Sequence, residues 1–429
     1  MRSTILTMFA ATTLALAAPA VAQPSSVFAT APGTPGAQQP LDLATALALA
    51  DGASPRLRIA ESQVEGARSG VVTARQYPNP EALASAGQQN ARVTNAPNGS
   101  LGLIGLSQQI DLPMVREPRI RGAEAGVEGS EIALAETRLV VRANVKQAFY
   151  DALRRKAEFE LALENQRLFQ QIRDRIAVRV NVGEAPRFEL TRADAELSTA
   201  ANVTNSARLR VAQAVATLRA VIGAPLPPDF EPVGSLQPPP ALPSLVVLRE
   251  EALLRYPAIP RADAEVKRAQ ARLEQERALR IPQPTLRADY EREPEVDKYR
   301  IGISIPIPIF NQRQGQIGEA VAAFQQATLT AEQTRIEVRA AMEAAYSRYE
   351  VAATQIAQFE GGLLKQAESA LSVAEAAFRF GERGFIDVLD AQRVLRQVRN
   401  DFLAARFDQQ AALVEIERLR AADYETRKP

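Results

Sequence analysis

The 429-residue chain contains no cysteine, no histidine and no tryptophan, and only four methionines. Without cysteine it can form neither a disulfide framework nor a thiolate metal site, and it lacks the residue to which a bacterial lipid anchor is attached. Without histidine it lacks the commonest general base and the commonest ligand of transition metals. No motif for carboxylate or serine–lysine chemistry replaces them. We therefore expect no enzymatic activity, no cofactor and no bound metal.

The chain also has no large net charge and no long apolar run. The net charge of +1 gives no electrostatic reason to expect nucleic acid as a partner. Beyond the N-terminal region, no stretch reaches the roughly 20 apolar residues that a membrane-spanning helix needs. Such a helix is therefore not predicted.

The N-terminus has the pattern of a secretory signal peptide. Arg2 precedes an apolar stretch at residues 5–18, and Ala20-Val21-Ala22 stands directly before Gln23. A positive start, a short apolar core and small residues at the cleavage site are typical of such signals. We predict that residues 1–22 are removed on secretion; a buried N-terminal helix is the alternative.

The rest of the sequence contains an internal duplication. Residues 105–110 resemble residues 302–307, and 197 positions separate them. Further pairs keep the same order at nearly the same spacing: residues 78–80 with 282–284, residues 138–142 with 335–339, Gly183-Glu184 with Gly381-Glu382, and Phe188 with Phe385. Several landmarks repeated in one order indicate two copies of one structural unit.

We therefore predict two repeats, residues 43–224 and 245–422. An extended segment (23–42) precedes them, a proline-rich linker (225–244) that cannot be helical throughout joins them, and a short tail (423–429) follows. Each repeat should contain a helix, two strands, a very long helix and a last helix. The predicted helices cover about 43–76, 117–181 and 187–222 in the first repeat, and about 245–280, 314–380 and 384–422 in the second.

The long helices carry a coiled-coil pattern. From Val338 to Leu363, and nearly so from Leu134 to Leu163, apolar residues recur every 3.5 residues on average, which is the coiled-coil period. A run of about 65 residues makes a rod of roughly 100 Å. The two shorter helices of the first repeat together have nearly this length, so they can stack end to end beside the long one. Such an antiparallel rod needs neighbours of its own kind to bury its apolar stripe.

The second repeat also contains a strongly alternating strand. Its odd positions are all large and apolar, and its even positions are polar or small; the odd set is Tyr299, Ile301, Ile303, Ile305, Ile307 and Ile309. Residues 286–291 alternate in the same way, which predicts a hairpin with its turn near residues 294–297. A strand of this kind suits a tilted crossing of an outer membrane, with its apolar face toward lipid.

Two features qualify this interpretation. Pro306 and Pro308 cannot donate ladder hydrogen bonds, so they should lie where the strand leaves the sheet. The corresponding strands of the first repeat, about 82–91 and 100–111, alternate poorly. A soluble hairpin packed against helices would show the same alternation and is the alternative.

The number of strands predicts an oligomer. Four strands per chain cannot close a membrane barrel, because about eight is the smallest number known. An open sheet edge in lipid would leave backbone groups without hydrogen bonds. If the strands cross a membrane, other copies of the chain must therefore complete the barrel.

With this layout, the sequence resembles the TolC-type outer-membrane efflux channels. The most specific stretch is residues 380–395, which resemble the family's glycine followed by Asp-Val-Leu-Asp-Ala at the periplasmic tip. The resemblance covers essentially all of the mature chain. Residues 107–113 also resemble the branch of the family that exports divalent cations of the cobalt–zinc–cadmium kind.

The resemblance implies a fold, a location and partners. The fold is mainly α with a small β part. Three copies would form a twelve-strand β-barrel in the outer membrane and a twelve-helix α-barrel through the periplasm. The partners are outer-membrane lipid, a periplasmic adaptor and an inner-membrane pump. The adaptor would dock on the turns at Gly183-Glu184 and Gly381-Glu382.

The resemblance also implies a gate at the tip. Asp387 and Asp390 match positions whose carboxylates ring the aperture, Arg383 matches a basic position in the links that hold it shut, and Glu189 keeps the acidic character of the first-repeat position. Phe378 and Phe188 stand where a family member has a Tyr and a Thr, which puts a hydrogen-bonded lock of that kind in question. Acidic residues in a first helical turn are also favoured by the helix dipole, whatever the function.

The predicted function is a passive export duct for divalent metal cations or drugs; protein secretion is not separated from these by the sequence. The alternatives are a periplasmic adaptor with a long helical hairpin and a structural coiled-coil protein. Neither would have membrane strands, so the alternation at residues 299–309 argues against both.

Overall fold

The computed structural model describes residues 39–90, 92, 97–227, 229–236 and 242–422. The predicted signal peptide, most of the extended segment, part of the proline-rich linker and the tail at 423–429 lie outside the described residues. The predictions made for them therefore remain predictions.

The described chain is mainly helical, with a small β part, as predicted. Its elements are β1 (Gln39–Leu41), α1 (Leu43–Ala53), α2 (Pro55–Arg75), β2 (Glu81–Gln89), β3 (Gly99–Gln109), α3 (Pro113–Asn181), α4 (Arg187–Ile222), β4 (Phe230–Pro232), α5 (Leu245–Arg255), α6 (Ala258–Ala278), β5 (Thr285–Arg292), β6 (Asp297–Ser304), α7 (Gln314–Gln358), a π-helical turn (Phe359–Leu363), α8 (Leu364–Arg379) and α9 (Phe385–Leu419). Among these residues, no helix has both the length and the apolar composition needed to cross a bilayer.

Three helices that were predicted as continuous are divided, so those predictions were wrong. Pro55 starts α2 directly after Ser54, and Pro257 separates α5 from α6. Proline has no backbone N–H and its ring clashes with the preceding turn, so a helix restarts there. The second long helix is interrupted at Gly362, whose φ of 148° is not helical.

Prolines also set the strand ends on the helical side of the sheet. β6 ends at Ser304 instead of Ile309, and Pro306 and Pro308 lie just beyond it, as predicted. β2 and β5 each begin directly after a Pro-x-Pro segment, at residues 78–80 and 282–284. Because proline cannot donate a ladder hydrogen bond, pairing stops at this level.

The predicted end-to-end stacking is confirmed in the first repeat. α2 lies along the first part of α3, where Arg68 pairs with Glu131 at 2.8 Å, and α4 lies along the last part, where Arg173 pairs with Asp194 at 2.8 Å. α1 packs on α3 between them. The long helix thus has a shorter neighbour along both halves of its length.

The two repeats pack side by side through α3. Next to the sheet, α6 packs on α3 and α7 packs on α6; toward the other end, α9 packs on α3 and α8 packs on α9. At this other end, Arg399 of α9 pairs with Glu164 of α3 at 3.2 Å and with Glu368 of α8 at 3.0 Å, and so links the three helices. The helix order is therefore α2–α3–α6–α7 at the sheet end and α4–α3–α9–α8 at the far end.

The apolar core is divided along the rod. One cluster lies where α1, α3 and α4 meet and includes Phe149, Leu218 and Ile222; its counterpart in the second repeat includes Leu248 and Met342. Beside the first cluster, β1 and β4 form a short parallel pair that the sequence did not predict. A third cluster lies at the far end, among α3, α4, α8 and α9.

Half-buried charged side chains lie at the edge of the second cluster. Arg418 donates to both carboxylate oxygens of Glu415, at 2.6 and 2.9 Å, and to the hydroxyl of Tyr256. These hydrogen bonds lower the pKa of Glu415, while burial raises the pKa of Tyr256. The end of α9 is thereby tied to α5.

A buried amide pair joins the two repeats between the middle of the rod and the end far from the sheet. Gln392 of α9 donates to Asn165 of α3 at 2.6 Å, and the two residues are 8% and 4% exposed. Buried amides are costly unless they are paired, so this contact favours one register between α3 and α9.

We predict that Gln392→Leu lowers the melting temperature because it leaves the Asn165 amide buried without its partner, which costs about 1–3 kcal/mol. Asn165→Leu/Gln392→Leu is the matched control and should recover most of the loss, since it removes both polar groups. Circular dichroism of the detergent-solubilised protein during heating measures both. Equal losses in the single and double variants would contradict this account.

Candidate functional site

The four longer strands form one antiparallel sheet in the order β2-β3-β5-β6. β3 pairs with β5, so the hairpins of the two repeats are joined edge to edge. The second hairpin turns where predicted: the N–H of Glu293 donates to the carbonyl of Val296 at 2.9 Å.

One face of this sheet is apolar and uncovered. The pairing register places the following side chains on it: Ile104, Leu106, Leu286, Ala288, Tyr290, Tyr299, Ile301 and Ile303. Tyr299 is 80% and Ile301 86% exposed, and beyond the strand Ile305, Ile307 and Ile309 are exposed as well. The contribution of β3 was missed in the sequence because β3 carries large apolar residues on both faces, Leu101 and Leu103 on one and Ile104 and Leu106 on the other. Only the strand pairing shows which of these faces continues the apolar face of β6.

The opposite face is charged where β5 and β6 form it. There it carries Arg287, Asp289, Glu291, Lys298 and Arg300, and Arg300 donates to Glu291 across the β5–β6 pair. In β2 and β3 the same face carries Leu83, Leu101 and Leu103. Asp289 lies directly over Gly105 of β3, where a Cβ atom would come within 2.5 Å of the Asp289 carboxylate. With any larger residue at position 105, the Asp289 carboxylate would have to move from this place.

No described helix packs across either face of the sheet, whose strands make their extensive contacts with one another. The alternative of a soluble hairpin packed against helices is therefore not what the structure shows. β2 and β6 are the edge strands of the sheet within one chain.

Arginines of α3 fasten the sheet to the helices. Asp111 is buried after β3 and pairs with Arg119 at 2.5 Å. Arg119 also donates to the carbonyl of Ala74 at 2.9 Å, and Arg116 donates to that of Arg75 at 2.7 Å. Both arginines thus cap the C-terminus of α2. Asp111 belongs to the segment that resembles the cation-exporting branch, and this structural role was missed in the sequence.

The two Gly-Glu turns lie at the opposite end of the rod. Gly183 has a φ of 80° and Gly381 a φ of 76°, so both glycines are in the left-handed conformation. The N–H of Glu184 donates to the carbonyl of Arg179 at 2.8 Å, and that of Glu382 to Ala377 at 2.9 Å. Both turns are therefore Schellman motifs, in which the positive φ ends a helix and satisfies its last carbonyls.

The turns present matching apolar side chains. Val182 and Phe188 are 64% and 70% exposed at the first turn, and Phe380 and Ile386 are 80% and 51% exposed at the second. Counted from the two glycines, Phe188 corresponds to Ile386. The pairing of Phe188 with Phe385, suggested by the 197-residue spacing, does not hold in space, because Phe385 is only 3% exposed.

The predicted gate residues are only partly brought together within one chain. Asp387 lies in the first turn of α9, and its carboxylate is 3.7 Å from the guanidinium of Arg383. Asp390 is one turn further along and lies 3.8 Å from Arg393, so a helix-start role fits Asp387 and not Asp390. Glu189 lies in the first turn of α4, at the other turn.

Within the described ranges, no group of three or more acidic side chains is placed to hold a metal ion. The candidate site is thus a set of surfaces: a two-faced sheet at one end, and paired turns with exposed carboxylates at the other. Residues 34–224 and 248–422 match the sequence model of the outer membrane efflux protein family.

The chain belongs to this family. The two matched segments also confirm the internal duplication. As a member of the family, this efflux protein is an outer-membrane channel component.

Individual relatives agree with this assignment. The efflux protein is 28% identical to the cobalt-zinc-cadmium resistance protein CzcC of Cupriavidus metallidurans, over 89% of this chain and 90% of that protein. Over about half of each chain, it is 29% identical to the outer membrane efflux protein BepC of Brucella suis.

Solved structures show the same fold. A structure of CusC matches with a TM-score of 0.76 at 20% identity, covering 88% of this chain and 91% of that one. The open state of the MtrE outer membrane channel of Neisseria gonorrhoeae matches with a TM-score of 0.71 at 20% identity, covering 88% of each chain.

We predict that Gly381→Val loosens the second turn, because a β-branched residue at this φ costs about 1–3 kcal/mol. Trypsin should then cleave faster after Arg379 and Arg383, which flank the glycine. Gly384→Ala is the matched control: Gly384 has a φ of −80° and open space around its Cα. Cleavage at equal rates in the two variants would show that the turn does not depend on the positive φ.

Proposed function

We propose that three copies of this efflux protein form one continuous duct across the outer membrane and the periplasm. The observation that carries the proposal is the four-stranded sheet, whose large apolar face is uncovered and whose two edge strands each have one side unpaired in the described part of the chain. In this arrangement the apolar face meets lipid and the charged face lines the lumen.

The number of copies follows from closure and from the lumen. Edge strands cannot face lipid, because their backbone groups would lack hydrogen bonds there. Two copies would supply eight strands, and the interior of an eight-stranded barrel is just filled by side chains. Long charged side chains such as Arg287, Lys298 and Arg300 need more room. Three copies supply twelve strands and leave an open lumen.

We predict that Ile303 faces lipid and its neighbour Ser304 faces the lumen. Ile303→Cys should react with a lipid-soluble maleimide, and Ser304→Cys with a water-soluble one. The chain has no cysteine of its own, so each variant carries a single thiol, and each serves as the control for the other. Equal labelling of both positions by the water-soluble reagent in intact outer membranes would contradict the proposal.

The two Gly-Glu turns are the proposed docking surfaces for a periplasmic adaptor, which in turn binds an inner-membrane pump. Their support is their place at the end of the rod opposite the sheet, together with the exposed apolar pairs beside each glycine. Energy and most of the substrate selection then come from the pump. In this arrangement, Gly381→Val reduces capture of the adaptor while Gly384→Ala does not.

The proposed substrate is a divalent metal cation. The similarity to CzcC, which extends over nine-tenths of that protein, supports this choice. With no cysteine or histidine, the chain has no soft-ligand relay, so the ion would pass hydrated through a polar lumen. A strain that lacks the chain should tolerate cobalt, zinc and cadmium less well. Unchanged tolerance of these ions, with greater sensitivity to organic drugs, would contradict the metal assignment.

Asp387 and Asp390 are the proposed cation-attracting residues of the opening. Three chains would bring six of these carboxylates to one narrow passage, where they repel one another and attract cations. Arg383, already 3.7 Å from Asp387, provides an opposite charge for the closed state.

We predict that Asp387→Asn/Asp390→Asn lowers cation selectivity and weakens block by trivalent cations in planar bilayers. Asp401→Asn/Asp408→Asn is the matched control, because it removes the same charge from the same helix, beginning about 21 Å further from the turn. If both double variants keep the selectivity of the parent channel, the carboxylates near the turn do not form the opening.

A further inference from the structure

A cavity of about 370 Å³ lies between α3, α8 and α9, where the two repeats meet. α3 and α8 both pack on α9, and the cavity occupies the space that the three helices leave between them. Small-molecule sites in proteins have volumes of about 300–1,000 Å³, so this cavity is large enough for a small ligand. Neither the residues of the two turns nor the proposed gate residues line it.

Part of the cavity wall is apolar. Leu161 and Leu168 line it from α3, Leu371 from α8 and Leu395 from α9. Leu168 and Leu371 also pack against the third apolar cluster, and Leu395 is only 3% exposed. These side chains are therefore held in place by the core on one side, and they offer a fixed apolar surface to a ligand on the other.

Charged side chains of both signs line the same cavity. Arg399 pairs with Glu164 at 3.2 Å, so these two charges are matched within the chain. Arg167 of α3, Arg396 of α9 and Glu375 of α8 also line the cavity, and none of the three forms an ion pair with a described residue. Arg396 and Glu375 are half-buried. The cavity thus has two guanidinium groups and one carboxylate that the described chain leaves without an ion-pair partner.

Gln392 adds a hydrogen-bond acceptor without a donor. Its Nε2 donates to Asn165 at 2.6 Å, whereas its buried Oε1 accepts no hydrogen bond from a described residue. Both amides line the cavity, and Gln392 is only 8% exposed. A buried carbonyl oxygen without a donor is unfavourable, so a ligand that brings an N–H group to this wall gains a hydrogen bond there.

Together, these walls select one class of ligand. Guanidinium groups bind carboxylates through paired, charge-assisted hydrogen bonds. Glu375 and the Oε1 of Gln392 accept hydrogen bonds and favour an ammonium group, and the leucines favour an apolar body. A purely anionic ligand would bring a like charge toward Glu375, and a purely cationic ligand would do the same to the arginines.

We propose that this cavity binds a small zwitterion with an apolar body, such as an amino acid with an aromatic or aliphatic side chain. Its carboxylate lies between Arg167 and Arg396, its ammonium group faces Glu375, and its side chain contacts the leucines. The walls come from both repeats, since α3 belongs to the first and α8 and α9 to the second. The bound zwitterion therefore bridges the repeats and stabilises the arrangement of the three helices that forms the cavity.

Ligand-observed NMR titration of the full-length protein in detergent tests the site, with phenylalanine as the probe. Hydrocinnamate lacks only the ammonium group of phenylalanine, and phenethylamine lacks only its carboxylate. Because each loses charge-assisted hydrogen bonds, we expect each to bind at least about tenfold more weakly than phenylalanine. If either one binds as tightly as phenylalanine, the zwitterion assignment is overturned.

Variants locate the site. Arg167→Gln and Arg396→Gln should each weaken the binding of phenylalanine and hydrocinnamate about tenfold, and Glu375→Gln should do so for phenylalanine and phenethylamine. Arg175→Gln is the matched control and should leave binding unchanged. Arg175 is exposed, forms no ion pair with a described residue, and lies outside the cavity on α3, about 12 Å beyond Arg167.

The result is independent of the proposed duct and of the folding of any one variant. The three ligands are first compared on the parent protein, and all walls of the cavity belong to one chain. Loss of the trimer would therefore leave the inference standing. If phenylalanine does not bind the parent, or binds the cavity variants and the Arg175→Gln control equally well, the inference is overturned while the duct is untouched.

Discussion

The open edges of the four-stranded sheet are the constraint on which the rest of the arrangement depends. The outward-facing backbone N–H and C=O groups of β2 and β6 have no strand partner among the described residues, and lipid offers none. In the proposed trimer, closure by other copies satisfies them. Because Pro-x-Pro segments end the pairing at residues 78–80, 282–284 and 306–308, the sheet stops abruptly, and Arg116 and Arg119 then fix its junction with the helices.

Like the sheet, the helices have an uncovered side at each edge of the chain, but it is formed by side chains and not by backbone groups. α3 is buried from both sides because it has a partner along its whole length in each repeat, whereas α4 and α8 keep one exposed apolar side. The described chain thus has an open strand edge on each side of the sheet at one end and exposed apolar helical surfaces at the other. The duplication explains this consistency, since both repeats present the same series of elements to their neighbours.

Much of the fold could be predicted from the sequence because the signals were local or repeated. The heptads beginning at Val338, the alternation from Tyr299 and the glycines before Glu184 and Glu382 each specify one kind of backbone. Breaks in the helices were missed at Pro55 and Pro257, where intervening prolines were outweighed by the apolar pattern. Phe188 and Phe385 were aligned by spacing alone, yet one lies on the surface and the other in the core.

The sequence by itself determined the class of the protein: duplicated, mainly helical and with one strongly alternating strand. These properties follow from composition and period, which short stretches of chain carry without reference to their neighbours. Only the tertiary structure decided that β3 extends the apolar face of β6, that Asp111 holds Arg119, and that α4 and α8 are the outer helices at the far end. The first and last of these facts depend on which elements are adjacent, and that is set by contacts between residues far apart in the sequence. Asp111 and Arg119 are only eight positions apart, but their pairing depends on how the end of β3 lies against α3.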